Sequence, residues 1–82
     1  MIKIKFETNK SVAYDDDKKI GECDFINQND TWNIVHTEVN NEYQGQGIAR
    51  KLVECVIEEA KEKTKKVIAE CLYAKRILEK QK

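Results

Sequence analysis

Proline is absent from this 82-residue sequence and glycine occurs only three times, which excludes a collagen-like, proline-rich or disordered linker chain. No apolar run approaches the roughly 18 residues of a membrane-spanning helix, and residues 1–6 lack a signal peptide's continuous apolar stretch. A soluble, cytoplasmic protein with no membrane partner is expected. An excess of one charge is missing too. The 15 Lys plus Arg balance 15 Asp plus Glu, which argues against a dedicated nucleic-acid binder. Cysteine is scarce: residues 23, 55 and 71 form an odd set with no C-x-x-C pair. Neither a disulfide framework nor a metal site is expected, and reduced thiols are.

What remains must build one small domain, residues 1–82, that buries only ~60–65% of the surface its unfolded chain exposes. Residues 1–41 carry five basic and eight acidic side chains, residues 42–82 ten and seven. A basic half suits a phosphorylated ligand and an acidic half a cationic one. On charge alone, ordinary surface scatter accounts for the difference.

Ile2, Ile4 and Phe6 alternate with Lys3, Lys5 and Glu7, the period of a half-buried strand. Residues 11–14 form a second run, residues 15–18 a turn, residues 20–26 a third strand and residues 27–30 another turn. The β-branched and aromatic run Thr31–Val39 is a fourth strand, and simple alternation puts Trp32, Ile34, His36 and Glu38 on one face. The period then changes. Ile48, Leu52, Cys55, Val56 and Ala60 mark an amphipathic helix that Lys61, Lys63, Lys65 and Lys66 close. Residues 67–69 read as a short buried strand, and a last helix carries Ala74, Ile77 and Leu78 inward. The fold class is α+β: an antiparallel meander, a βαβ unit and a C-terminal helix.

A right-handed βαβ crossover sends the ends of both its strands to one sheet edge, where ligands of open α/β sheets bind. If those strands are neighbours, His36, Glu38 and Cys71 end near one pocket. Between the first strand and the helix lies Tyr43-Gln44-Gly45-Gln46-Gly47-Ile48-Ala49. Glycines let a ligand approach the backbone, and a helix start offers unpaired N–H groups, so phosphate or pyrophosphate fits there. A tight structural turn fits as well. Arg50 breaks a dinucleotide fingerprint, and no Gly-Lys-Ser/Thr completes a P-loop.

The stretch His36-Thr37-Glu38-Val39, followed by Gln44, Gly47 and Ala49 in a Gln/Arg-x-x-Gly-x-Gly/Ala pattern, resembles the acetyl-CoA signature of the GNAT N-acetyltransferases. With Cys71 and Tyr73-Ala74-Lys75, the chain is similar to the very small, single-domain GNAT-like acetyltransferases over residues 18–80. The resemblance implies a minimal GNAT-like fold with acetyl-CoA as co-substrate. It implies that amides of Gln44, Gly45, Gln46, Gly47, Ile48 and Ala49 hold the pyrophosphate and that the strand ending at Val39 holds the pantetheine arm. Lys75, Arg76, Arg50 and Lys51 are candidates for the 3′-phosphate, and Tyr73 either packs or touches the ligand. Two departures stand out. Only residues 8–10 separate the first two strands, so the helix pair that floors the usual acceptor site is missing. Aligned on Asn-x-x-Ala-x-x-x-Tyr, Cys71 replaces the asparagine and Leu78 the tyrosine acid.

Cys23 and Cys55 read as small buried hydrophobes. Cys71 opens a helix, a position that favours thiolate, and it is the candidate acetyl carrier, with a packed core cysteine as the plain reading. His36 is its candidate partner, or a structural histidine. Glu38 is the rival base for direct transfer, or a solvated strand residue. The expected function is transfer of an acetyl group to an amine on a small molecule or an exposed lysine. The alternative is a non-enzymatic acyl-CoA sensor or carrier; a structural glycine turn would instead leave an interaction module that binds no CoA.

Overall fold

The computed structural model describes residues 1–80. Strands β1 (Ile2–Glu7), β2 (Lys10–Asp15), β3 (Lys18–Gln28) and β4 (Thr31–Val39) precede a short 3-10 turn at Asn41–Tyr43. Helix α1 (Ile48–Glu62), strand β5 (Lys66–Ala69) and helix α2 (Leu72–Lys80) complete the order. One five-stranded sheet runs β1-β2-β3-β4-β5, with β1 to β4 antiparallel and β4–β5 parallel. The α+β architecture and the shared β4–β5 edge expected from the sequence are both present. The tight links β1–β2, β2–β3 and β3–β4 each place Asn9, Asp16 or Asn29 at positive φ, which short polar side chains tolerate best after glycine.

Helix α1 lies across all five strands, and α2 packs beside it against β4 and β5. Ile48, Leu52, Val53, Val56, Ile57 and Ala60 of α1 meet Ala13, Ile20, Cys23, Phe25, Trp32 and Ile34 of the sheet. Ala74 and Ile77 of α2 close the core at the β5 side. Phe6, Phe25 and Trp32 stack at the far end, with Phe25 and Trp32 centroids 4.2 Å apart.

Three expectations change. Asp24 pairs with His36 but Phe25 pairs with Ile34, so Val35 is an extra residue in β4. A one-residue bulge shifts the side-chain phase by one. Trp32 and Ile34 therefore face the core, but beyond Val35 it is Thr37 and Val39 that turn inward while His36 and Glu38 are exposed. The four do not share one face. Secondly, β5 is a strand but not a buried one: it begins at Lys66, forms the sheet's edge, and leaves Ile68 50% exposed. Finally, Cys55 is only half-buried, and Val53 and Ile57 fill the helix's inner face.

Helix α1 ends in a Schellman motif. Lys65 N–H donates to Ala60 O at 2.8 Å and Thr64 N–H to Lys61 O at 3.1 Å. The motif demands a left-handed residue, and Thr64 supplies it at φ 58°. A β-branched residue there costs about 1–2 kcal/mol, of which glycine's greater unfolded-state freedom cancels part. Thr64→Gly is expected to raise Tm by roughly 3–6 °C, measured by thermal unfolding followed by circular dichroism.

Candidate active site

The β4–β5 ladder runs only from Thr31↔Lys66 to Ile34↔Ala69. There the chain turns away, because Glu70 and Cys71 both donate their N–H to Ile34 O, at 2.9 and 3.1 Å. Among the described residues, positions 36–39 of β4 keep β3 as their one strand partner. Their other edge presents backbone polar groups to a cleft of about 660 Å³.

The opposite wall is the glycine turn. Gly45 and Gly47 sit at φ 83° and 76°, left-handed values that glycine adopts without strain, and nothing lies within 4 Å of where either would carry a Cβ. Gly47 is the N-cap of α1, with no side-chain cap and no acidic residue in the first turn. The first intrahelical bond is Lys51 N–H to Gly47 O. The earlier amides thus keep their donors and the helix's partial positive charge.

Side chains fix this wall to the sheet. Gln44 Nε2 donates to Val39 O at 3.3 Å and to Asn41 Oδ1 at 3.1 Å. Tyr43 donates its hydroxyl to Asp15 Oδ2 at 2.6 Å. That bond holds the Asp15 carboxyl below its ordinary range and pushes the tyrosine hydroxyl up. Behind β4, Gly21 lets α1 and the strand close up: a Cβ on it would lie 2.9 Å from Glu38 O and 3.3 Å from Leu52 Cδ1.

Of the residues proposed from sequence, Glu38, Val39, Gln44, Gly45, Gly47, Ile48 and Ala49 line the cleft. Gln46 and Lys75 are exposed nearby in sequence but do not line it, nor do His36 and Cys71. Tyr73, reaching over from α2, does. Thr37 and Tyr43 also line the cleft and had no role in the sequence reading.

Cys71 stands just before α2, and Lys75 N–H donates to its carbonyl at 2.9 Å. Its thiol donates to Thr37 Oγ1 at 3.7 Å. The structure does not bring His36 to it. Thr37 meets buried Cys23, so neighbouring His36 points to the other face. There His36 Nε2 lies 3.5 Å from Glu38 Oε2, both groups being exposed. Cross-strand partners Glu22 and Asp24 share that face. Lys19 lowers the Glu22 carboxyl through a hydrogen bond, whereas burial, then the bond to Glu22, pushes Asp24 up. Burial pushes Cys23 up to about 12 and also raises Cys55.

Comparisons with known proteins bear on the family and the fold. A family model described as GCN5-related N-acetyl-transferase matches residues 5–82. A Staphylococcus aureus protein classed as a GCN5-like N-acetyltransferase is 40% identical, with 96% of this chain and 79% of that one covered at a TM-score of 0.73. The Escherichia coli ribosomal-protein-S18-alanine N-acetyltransferase shares the fold at 18% identity and TM-score 0.74, with 88% of this chain and 50% of that one covered. An aminoglycoside acetyltransferase from an uncultured soil metagenomic sample, solved with sisomicin, shares it at 22% identity and TM-score 0.67, with 93% and 59% covered. This chain thus spans little more than half the length of those two enzymes. No curated protein matches it significantly.

Proposed function

The chain belongs to the GCN5-related N-acetyltransferase family, and on that premise we propose that it transfers an acetyl group from acetyl-CoA to an amine. One observation carries the reading. The unpaired edge of β4 and the uncapped, glycine-led start of α1 face each other across a single cleft. Amides of Gly45, Gly47, Ile48 and Ala49 suit a pyrophosphate. The exposed backbone of residues 37–39 suits the amide-bearing pantetheine arm, which would add to the sheet much as a strand does. Gln46 and Lys75 stand outside the lining and fit the mobile nucleotide end.

In the favoured chemistry the Cys71 sulfur forms a bond to the acetyl carbon as the thioester C–S bond breaks. CoA leaves as a thiolate and takes up the proton that Cys71 released. The acceptor amine then bonds to the acetyl carbon, the Cys71 sulfur departs, and the amine's surplus proton returns to it. Backbone N–H groups of the open β4 edge suit the developing oxyanion. Reduced cysteine in a cytoplasmic setting fits this use.

Direct transfer is the second reading, favoured by one fact: Glu38 lines the cleft and Cys71 does not. Glu38 is then the base that takes the amine's proton, with His36 beside it as a relay. The acidic row Glu22, Asp24 and Glu38 suits a cationic amine arriving from that face. With only the short Thr8–Asn9 link between β1 and β2, nothing there selects the acceptor's shape.

The test is the intact mass of reduced protein after exposure to acetyl-CoA, wild type beside Cys71→Ala. One acetyl adduct in the wild type and none in the variant is the expected result. Equal adducts in both mean stray lysine acetylation. No adduct in either, with turnover lost in Glu38→Gln, leaves direct transfer; binding without any turnover leaves a carrier.

A further inference from the structure

Three side chains stand in a row: Cys23 on β3, Thr37 on β4, and Cys71 just before α2. The Cys71 thiol donates to Thr37 Oγ1 at 3.7 Å, and the Thr37 hydroxyl donates onward to Cys23 Sγ at 3.5 Å. Cys23 is fully buried and Thr37 lines the cleft. The row therefore starts in the core, and its middle member lines the cleft.

Its direction depends on which sulfur holds a proton. Burial pushes the Cys23 thiol up to about 12, so Cys23 remains a donor at neutral pH. Once Cys71 releases its proton, its sulfur can only accept. The Thr37 hydroxyl needs only to rotate to donate to it, and Cys23 S–H then donates to Thr37 Oγ1. Every group has a partner in both states. A hydrogen bond to an ionised acceptor is also stronger than one between neutral groups, so the reversed row favours the thiolate.

We infer that Thr37 is a positioning residue, holding the Cys71 sulfur beside the cleft and stabilising its thiolate by a donated hydrogen bond, with Cys23 as the donor behind it. The inference rests on the reading of Cys71 as acetyl carrier, since only a nucleophilic sulfur gains from a thiolate. Asp24 on β3 and Cys55 on α1 are the other titratable groups whose charges reach the row, through Cys23. Neither hydrogen-bonds to Cys71 among the described residues.

The experiment is the rate of Cys71 alkylation by iodoacetamide across pH, read by peptide mass spectrometry. It compares wild type, Thr37→Val, Thr37→Ala and Thr37→Ser. At neutral pH the valine and alanine variants should react about tenfold more slowly, the effect of losing one hydrogen bond to an ionised sulfur. At strongly alkaline pH, where the thiol is ionised regardless, all rates should converge. Thr37→Ser should restore the wild-type profile. Two variants without the hydroxyl, one smaller than threonine and one of its shape, guard against misfolding of either. Wild-type profiles in both would overturn the inference. So would a slowing equal at every pH that serine does not rescue, because that reports altered access alone. Alkylation needs no acetyl-CoA, so the two readings fail separately. A Thr37-dependent profile without acetylation of Cys71 supports the inference and removes the carrier. Acetylation of Cys71 with a profile indifferent to Thr37 does the reverse.

Discussion

Under the proposed function, Gly47→Val is expected to lower acetyl-CoA affinity by at least about a hundredfold while the fold remains. Gly47 is both the N-cap of α1 and a left-handed residue at φ 76°. A β-branched side chain there costs about 1–3 kcal/mol. Nothing lies within 4 Å of where its Cβ would stand, so no protein atom crowds that carbon. The loss instead falls on the ligand. If the backbone keeps its φ, the side chain occupies the ground where a phosphate would approach. If φ relaxes to a negative value, the first amides of α1 turn away. Each charge-assisted hydrogen bond lost to a phosphate is worth about 1.5–3 kcal/mol, and two such losses already exceed a hundredfold. Isothermal titration calorimetry with acetyl-CoA, beside far-ultraviolet circular dichroism for the fold, measures it. Unchanged affinity would mean that the glycine turn is only a turn, and the assignment of the pyrophosphate would fall with it.

Leu52→Ala should lower Tm by about 12–24 °C. Leu52 is fully buried in the second turn of α1. Its carbonyl accepts the buried Ser11 hydroxyl at 2.7 Å, which ties the helix to β2 at that turn. Its Cδ1 lies against Gly21, where no side chain exists to swing into a void. Such a site collapses little, and Leu→Ala then costs about 3 kcal/mol. In a domain of this size each kcal/mol moves Tm by about 4–8 °C. Differential scanning calorimetry gives the shift directly. A shift of only a degree or two would show that β3 and α1 close over the gap.

Much of this architecture is legible because period and burial coincide. Ile2, Ile4 and Phe6 alternate and are the half-buried residues of β1. Ile48, Leu52, Val56 and Ala60 recur at helical spacing and are buried in α1. The glycine turn announces itself through Gly45 and Gly47, and most of the ligand wall follows from it. The chemical end of the site is less legible. A single extra residue at Val35 exchanges the two faces of β4, and nothing in the composition of Ile34-Val35-His36 marks it. Alternation carried through that point joins His36 to Cys71 and overlooks Thr37. Likewise the apolar residues of β5 look buried in one dimension, but a strand at a sheet edge exposes Ile68 whatever its hydropathy. Cys55 and Val53 differ by only part of a helical turn, less than periodicity from a few apolar positions resolves.

Four residues of parallel pairing hold β5 to β4, and nine residues of helix follow. Such a leaf, with one exposed edge and a short hydrophobic seam, is expected to open locally at a smaller free energy than the whole domain. A guest lying between β4 and Tyr73 would stitch the leaf to the sheet, so ligand affinity and leaf stability become two expressions of one linked equilibrium. Whatever loosens β5, even far from the glycine turn, weakens the guest. The guest in turn shields the leaf's amides from solvent exchange. A ligand in the cleft would thus supply part of the stiffness of this end of the sheet.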